Sequence, residues 1–140
     1  MELKQLYREI VNDHNLTPSH RGKMENPDIV LQGVNPSCGD NIYLYLKVKD
    51  GMIEDGTFTG VGCAISQASV DMMLDNIIGK SEDKALEIAE NFMKMIKGES
   101  LNENEVDDLE ECALLSDISH MPARVKCAVL GWRTLEEMLK

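Results

Sequence analysis

The side chains with the most chemistry in this chain are three cysteines and an aspartate. Cys38 and Asp40 lie in the run Asn35-Pro36-Ser37-Cys38-Gly39-Asp40, Cys63 ends Gly60-Val61-Gly62-Cys63, and Cys127 follows Arg124 by three residues. A thiol and a carboxylate two residues apart can converge on a metal ion, with Pro36 stiffening the approach and Gly39 allowing a tight turn. The same residues are the usual ones of an ordinary turn, and a lone cysteine often packs as a small hydrophobe, so this run alone leaves both readings open. Arg124, one turn before Cys127, can hold a thiolate electrostatically, and Gly131, one turn after it, leaves room for a close neighbour. The alternative there is an incidental surface pair on a packed helix.

Three strands must position these residues. The stretch 28–35 is apolar and extended, Ile42, Leu44, Leu46 and Val48 alternate along the next strand, and Asp50-Gly51 is a hairpin signal leading into a third strand over 52–61. The sheet is therefore largely antiparallel. Its hairpin order brings Gly60-Val61-Gly62-Cys63 to the end of the sheet that carries Cys38. Ala64, Ile65, Ala68, Met72 and Met73 then run at helical spacing to Gly79, which puts Cys63 at a helix amino terminus, where free N–H groups favour a thiolate. Cys63 packing as a small residue is the competing explanation.

The remaining pattern is helical. Leu3, Leu6, Tyr7, Ile10 and Val11 form one apolar stripe; Ser81 caps another helix that ends at Gly98; Pro122 opens a last one carrying Val125, Ala128, Val129, Trp132, Leu135 and Leu139. Cys127 falls off the middle of that final stripe, so a partly exposed thiol is expected. His14 and His20 lie in or beside the polar loop after the first helix and read as solvated histidines. Residues 99–117 hold eight acids and no base; Asn102 and Glu105 resemble a capping box, Val106, Leu109 and Ala113 a short helix, and Cys112 a structural cysteine.

At 140 residues and a net charge of −11, the chain fits a single domain, 1–140, with no basic footprint for nucleic acid. No apolar run approaches the roughly 20 residues needed to cross a bilayer, and the amino terminus lacks the pattern of a signal peptide. A soluble cytoplasmic protein with reduced cysteines is expected.

Three separated cysteine motifs in this order carry a resemblance to a known family. With Asp13-His14, Arg21-Gly22, Glu54-Asp55, Phe58, Ser66, Ala68, Ser69 and Pro122-Ala123-Arg124-Val125-Lys126-Cys127-Ala128, the chain resembles the SufU/IscU iron-sulfur cluster assembly proteins, closest to the SufU branch. The resemblance implies an α+β fold of the SufE/NifU-like kind, a three-stranded largely antiparallel sheet packed against several helices. It also implies a metal site of Cys38, Asp40, Cys63 and Cys127, with Cys38 as sulfur acceptor; Arg124, one turn before Cys127, is placed to support the exposed sulfur. Three thiolates and a carboxylate suit tetrahedral Zn2+. Lys126 stands where IscU-like scaffolds carry a histidine, and the acidic stretch 99–117 resembles the insertion of the SufU branch.

That branch implies a zinc-dependent sulfur acceptor, a sulfurtransferase-like partner of a SufS-type cysteine desulfurase that is not a self-contained enzyme, working with other iron-sulfur assembly proteins. A scaffold that assembles and transfers a [2Fe-2S] cluster on the same residues is the alternative. A structural zinc domain is a third class. A hydrolase is disfavoured, because three thiolates leave a metal little Lewis acidity.

Overall fold

The protein is described by a computed structural model over residues 3–37 and 39–140, with the side chains of residues 3, 4, 6 and 7 outside the description. Helix α1 (Leu3–Leu16) precedes a three-stranded antiparallel sheet of β1 (Ile29–Asn35), β2 (Asp40–Lys49) and β3 (Met52–Val61) in that order. Four helices follow, α2 (Ala64–Ile77), α3 (Glu82–Ile96), α4 (Glu103–Leu109) and α5 (Pro122–Leu139), with a 3-10 segment at Glu110–His120. The fold is α+β, as the sequence pattern implies. Among the described residues no helix is long and apolar enough to cross a membrane.

Register explains how the sheet serves the site. Asn35 pairs with Asp40, and Asn41 pairs with Val61, so the β1–β2 turn and the end of β3 share one end of the sheet. At the other end Asp50 and Gly51 both adopt positive φ (52° and 76°), the two-residue turn whose twist matches antiparallel strands. The alternation slips once: Lys47 pairs with Asp55 but Val48 with Ile53, so Glu54 bulges out. Ile42, Leu44, Leu46 and Phe58 face inward and are buried under α2 and α5, each burial contributing about 1.5–3 kcal/mol. Residues 17–22 cover the β3 edge, where Gly22 N–H donates to Phe58 O (2.8 Å) and Phe58 N–H donates to His20 O (3.0 Å).

One polar joint fixes the helices. The Trp132 indole N–H donates to Ser69 Oγ (3.1 Å), which in turn donates to Ala128 O (2.7 Å), and the Trp132 ring stacks on Phe92 at 4.3 Å. Buried side chains of α2, α3 and α5 are thereby tied together. Gly131 lets α5 approach α2 closely: a Cβ there would stand 2.4 Å from Val70 Cγ2.

The acidic stretch differs from the expected short helix. Asn102 and Glu105 do form a reciprocal capping box on α4, but α4 stops at Leu109 because Glu110 takes positive φ (53°). Ala113 lies instead in the 3-10 segment. Cys112, Leu115 and Ile118 are its buried residues, and a spacing of three aligns them on one face of a 3-10 helix.

Candidate metal centre

Three of the four sequence-predicted ligands meet where β2, α2 and α5 converge. A carboxylate oxygen of Asp40 and the sulfurs of Cys63 and Cys127 all lie within 4.8 Å of one another. Asp40, the first residue of β2, is 0% exposed. Its Oδ1 accepts the Cys63 backbone N–H at 2.8 Å, while Oδ2 is buried with no hydrogen-bond partner among the described residues. A buried carboxylate oxygen without a partner is costly unless a cation meets it. The donor set of two sulfurs and a carboxylate oxygen fits zinc or another thiophilic metal, so the residues present suit the group that the sequence implies. Cys38 lies outside the described residues; its neighbours Ser37 and Gly39 belong to the turn between β1 and β2.

Cys63 is the N-cap of α2. Its sulfur accepts the Ser66 backbone N–H at 3.5 Å, replacing the hydroxyl or carboxylate that usually caps a helix. The turn before it works only with glycine. A Cβ on Gly60 would stand 2.1 Å from Asn41 O, and one on Gly62 would stand 2.4 Å from Ser66 Oγ and 3.0 Å from Asp40 Oδ1. Gly62 therefore allows Asp40 and the start of α2 to touch.

Arg21 and Gln67 clamp this turn from outside. Arg21 donates through Nη1 to Gln67 Oε1 (2.7 Å) and through Nη2 to Gly60 O (2.6 Å), and Gln67 Nε2 donates to Gly62 O (2.8 Å). The sequence reading assigned them no such role. Their only signal was Arg21-Gly22 and the position of Gln67 one turn into α2, too generic to point to a clamp.

Cys127 is 3% exposed, which corrects the expectation of a partly exposed thiol. Its sulfur lies 3.9 Å from Ala123 O and faces the interior near Asp40 and Cys63. The helical wheel failed because α5 is embedded on two sides, against the sheet and against α2 and α3. Arg124 is exposed in the first turn of α5. Cys112 is buried away from this cluster in the 3-10 segment, and burial pushes its thiol pKa up, holding it protonated.

The histidines also correct the sequence reading. His14 lies within α1, 12% exposed at its side chain, and its Nδ1 stands 2.5 Å from Oδ2 of the buried Asp71. His20 Nε2 stands 2.6 Å from Asp75 Oδ1. Both partners lie on α2, more than fifty residues along the chain, which is why no local spacing revealed them.

The chain matches the family model described as the NifU-like N-terminal domain over residues 6–128. It is 44% identical over 140 residues to an iron-sulfur cluster assembly scaffold protein IscU of Thermotoga maritima, covering 100% of this chain and 96% of that protein. It is 39% identical over 135 residues to the zinc-dependent sulfurtransferase SufU of Bacillus subtilis, covering 96% and 90% of the two chains. A crystal structure from Fervidobacterium islandicum, described as a candidate iron-sulfur cluster assembly scaffold for the SUF system, superposes with a TM-score of 0.87 at 40% identity, covering 97% and 98%. With its fold, its cysteine order and these likenesses in agreement, the chain belongs to the NifU-like N-terminal domain family, that of the IscU and SufU iron-sulfur cluster assembly proteins.

Proposed function

We propose that this protein is a zinc-dependent sulfur acceptor, taking persulfide sulfur from a SufS-type cysteine desulfurase for iron-sulfur cluster assembly. The observation that carries the reading is the buried Oδ2 of Asp40, without a hydrogen-bond partner among the described residues, beside the sulfurs of Cys63 and Cys127. Lys126 before Cys127 and the likeness to a relative named a zinc-dependent sulfurtransferase support this branch. Asp40, Cys63 and Cys127 would hold the ion, with Cys38 as the fourth ligand. Bound zinc would supply positive charge that keeps the thiolates ionised, and it has no redox chemistry of its own.

The chain's own residues account for the transfer. Cys38 would first be released from the ion, with Asp40, Cys63 and Cys127 retaining it. The freed Cys38 thiolate attacks the outer sulfur of the donor's cysteine persulfide; a new S–S bond forms at Cys38, the donor's S–S bond breaks, and the donor cysteine leaves as a thiolate. No external oxidant is required. Arg124 is exposed near the start of α5 and would stabilise the exposed sulfur or contact the donor protein. Anaerobic incubation with a desulfurase and cysteine, followed by mass spectrometry without reductant, should find one added sulfur atom on Cys38. Undiminished sulfur uptake by Cys38→Ala removes the reading, and an unchanged transfer rate in Arg124→Ala removes Arg124 from it.

The relatives named scaffold proteins favour a second reading, in which a [2Fe-2S] cluster is assembled on the same residues and passed on. Asp40 would then be the weak ligand that keeps the cluster labile. Asp40→Ala should make a bound cluster more persistent.

A further inference from the structure

A second group of ligating side chains lies apart from Asp40, Cys63 and Cys127, with Cys112 as its nearest cysteine. His14 of α1, Asp75 of α2 and Glu111 of the 3-10 segment each direct one ligand atom into a common space less than 4.8 Å across. His14 Nε2 is 3.8 Å from Asp75 Oδ2 and 4.0 Å from Glu111 Oε2. These separations are too long for hydrogen bonds. They approach those between ligands of a shared ion, because donors bound at about 2.1 Å lie about 3–3.5 Å apart. Asp75 lies about 18 Å along α2 from Cys63, so the two sites are separate.

The surrounding residues orient the ligands. Asp71, buried, accepts the His20 backbone N–H on Oδ1 (2.9 Å), and its Oδ2 accepts Ser19 N–H (3.3 Å) and faces His14 Nδ1 (2.5 Å). A carboxylate on Nδ1 fixes the proton there and turns the Nε2 lone pair toward Asp75 and Glu111, the arrangement that accompanies metal-binding histidines. His20 Nε2 stands 2.6 Å from Asp75 Oδ1, leaving Oδ2 as the oxygen toward His14. A cleft of about 220 Å³ opens beside the cluster, walled by Met72, Asp75, Asn76, Glu110, Glu111 and Cys112; burial keeps the Cys112 thiol protonated, so the carboxylates are the cluster's anionic ligands. Asp71 is already fully partnered, so its role is to position His14.

We propose that His14, Asp75 and Glu111 form a second, thiolate-free site for a first-row divalent cation, oriented by Asp71 and His20. An imidazole nitrogen with two carboxylates selects a borderline ion of the Zn2+, Fe2+ or Co2+ kind over a soft one. Bound there, the ion ties α1 and the 3-10 segment to the middle of α2.

The test titrates Co2+ into full-length protein whose cysteine site already holds zinc. The expected result is a second ion per chain, with weak visible bands and no sulfur-to-cobalt charge transfer in the near ultraviolet. Glu111→Gln, exposed and safe for folding, should weaken that uptake by about tenfold or more, and Cys127→Ser should leave it in place. His14→Gln should remove it. Uptake that appears only with thiolate charge transfer, or that is unaffected by Glu111→Gln, overturns the proposal.

Discussion

At the scale of single residues the most informative atom is Asp40 Oδ2. A carboxylate 0% exposed, with one oxygen unpartnered among the described residues, should destabilise the metal-free protein, so chelation should lower stability by about 3 kcal/mol. Asp40→Asn carries no charge there and should lose less than half as much on chelation, as measured by urea denaturation with and without chelator. An equal loss in both proteins would show that Asp40 does not face the ion. Cys112 makes a pH prediction. Its folded pKa is raised above the ordinary 9.0, mainly by burial, so the unfolded chain loses that proton first. The contribution is complete below about pH 9 and is lost as pH climbs beyond it; Cys112→Ala should flatten the alkaline decline in melting temperature.

Residue types alone point to part of this cluster. Cys63 and Asp40 were legible because each sits at a sequence-visible strand end, Asp40 after a Pro-Ser-Cys-Gly turn and Cys63 after Gly60 and Gly62. Cys127 lies on the helix its pattern predicts, but buried and not partly exposed. Its burial depends on what packs around α5, which periodicity does not record. The His14–Asp71 and His20–Asp75 pairs were invisible for the same reason, since they join segments distant in sequence.

At the scale of elements, the site depends on α2 and α5 keeping their mutual register, because one carries Cys63 and the other Cys127. Gly131→Ala would press a methyl against Val70 and should cost about 1–3 kcal/mol; trimming the neighbour in Gly131→Ala/Val70→Ala should recover part of that loss. Additive losses in the double variant would contradict the close approach of the two helices. Ser69→Ala leaves the Trp132 indole N–H without its partner and should cost about 1–3 kcal/mol, with a red-shifted tryptophan emission if water enters. The strands, the Asp50-Gly51 hairpin, the Ser81 cap and the capping box at Asn102 and Glu105 were all readable from local signals. The long 3-10 segment was not. Its period of three was present at Cys112, Leu115 and Ile118, but a run of this length is uncommon enough that a helix at Val106, Leu109 and Ala113 was the natural expectation.

At the scale of the whole molecule, Cys127 belongs to the core and Cys63 packs against it, but most of that core, with Phe58, Phe92, Trp132 and the inward strand residues, consists of apolar side chains that hold no metal. Removing the metal should therefore leave the far-ultraviolet circular dichroism nearly unchanged, whereas a domain whose fold depends on zinc would lose it. The acidic surface, net charge −11, gives an attraction to any basic partner face that salt should weaken. The identity of the metal decides between the two proposed functions, because the same residues would serve either.

The most direct measurement is elemental analysis with an absorption spectrum on protein purified without air, repeated after mixing with a desulfurase and cysteine. Once a weak chelator has cleared the thiolate-free site, a zinc-dependent sulfur acceptor should show one zinc per chain, no visible charge-transfer bands and faster desulfurase turnover. Iron and sulfide in equal amounts, with visible charge-transfer bands and no effect on turnover, would contradict it and make the protein a scaffold.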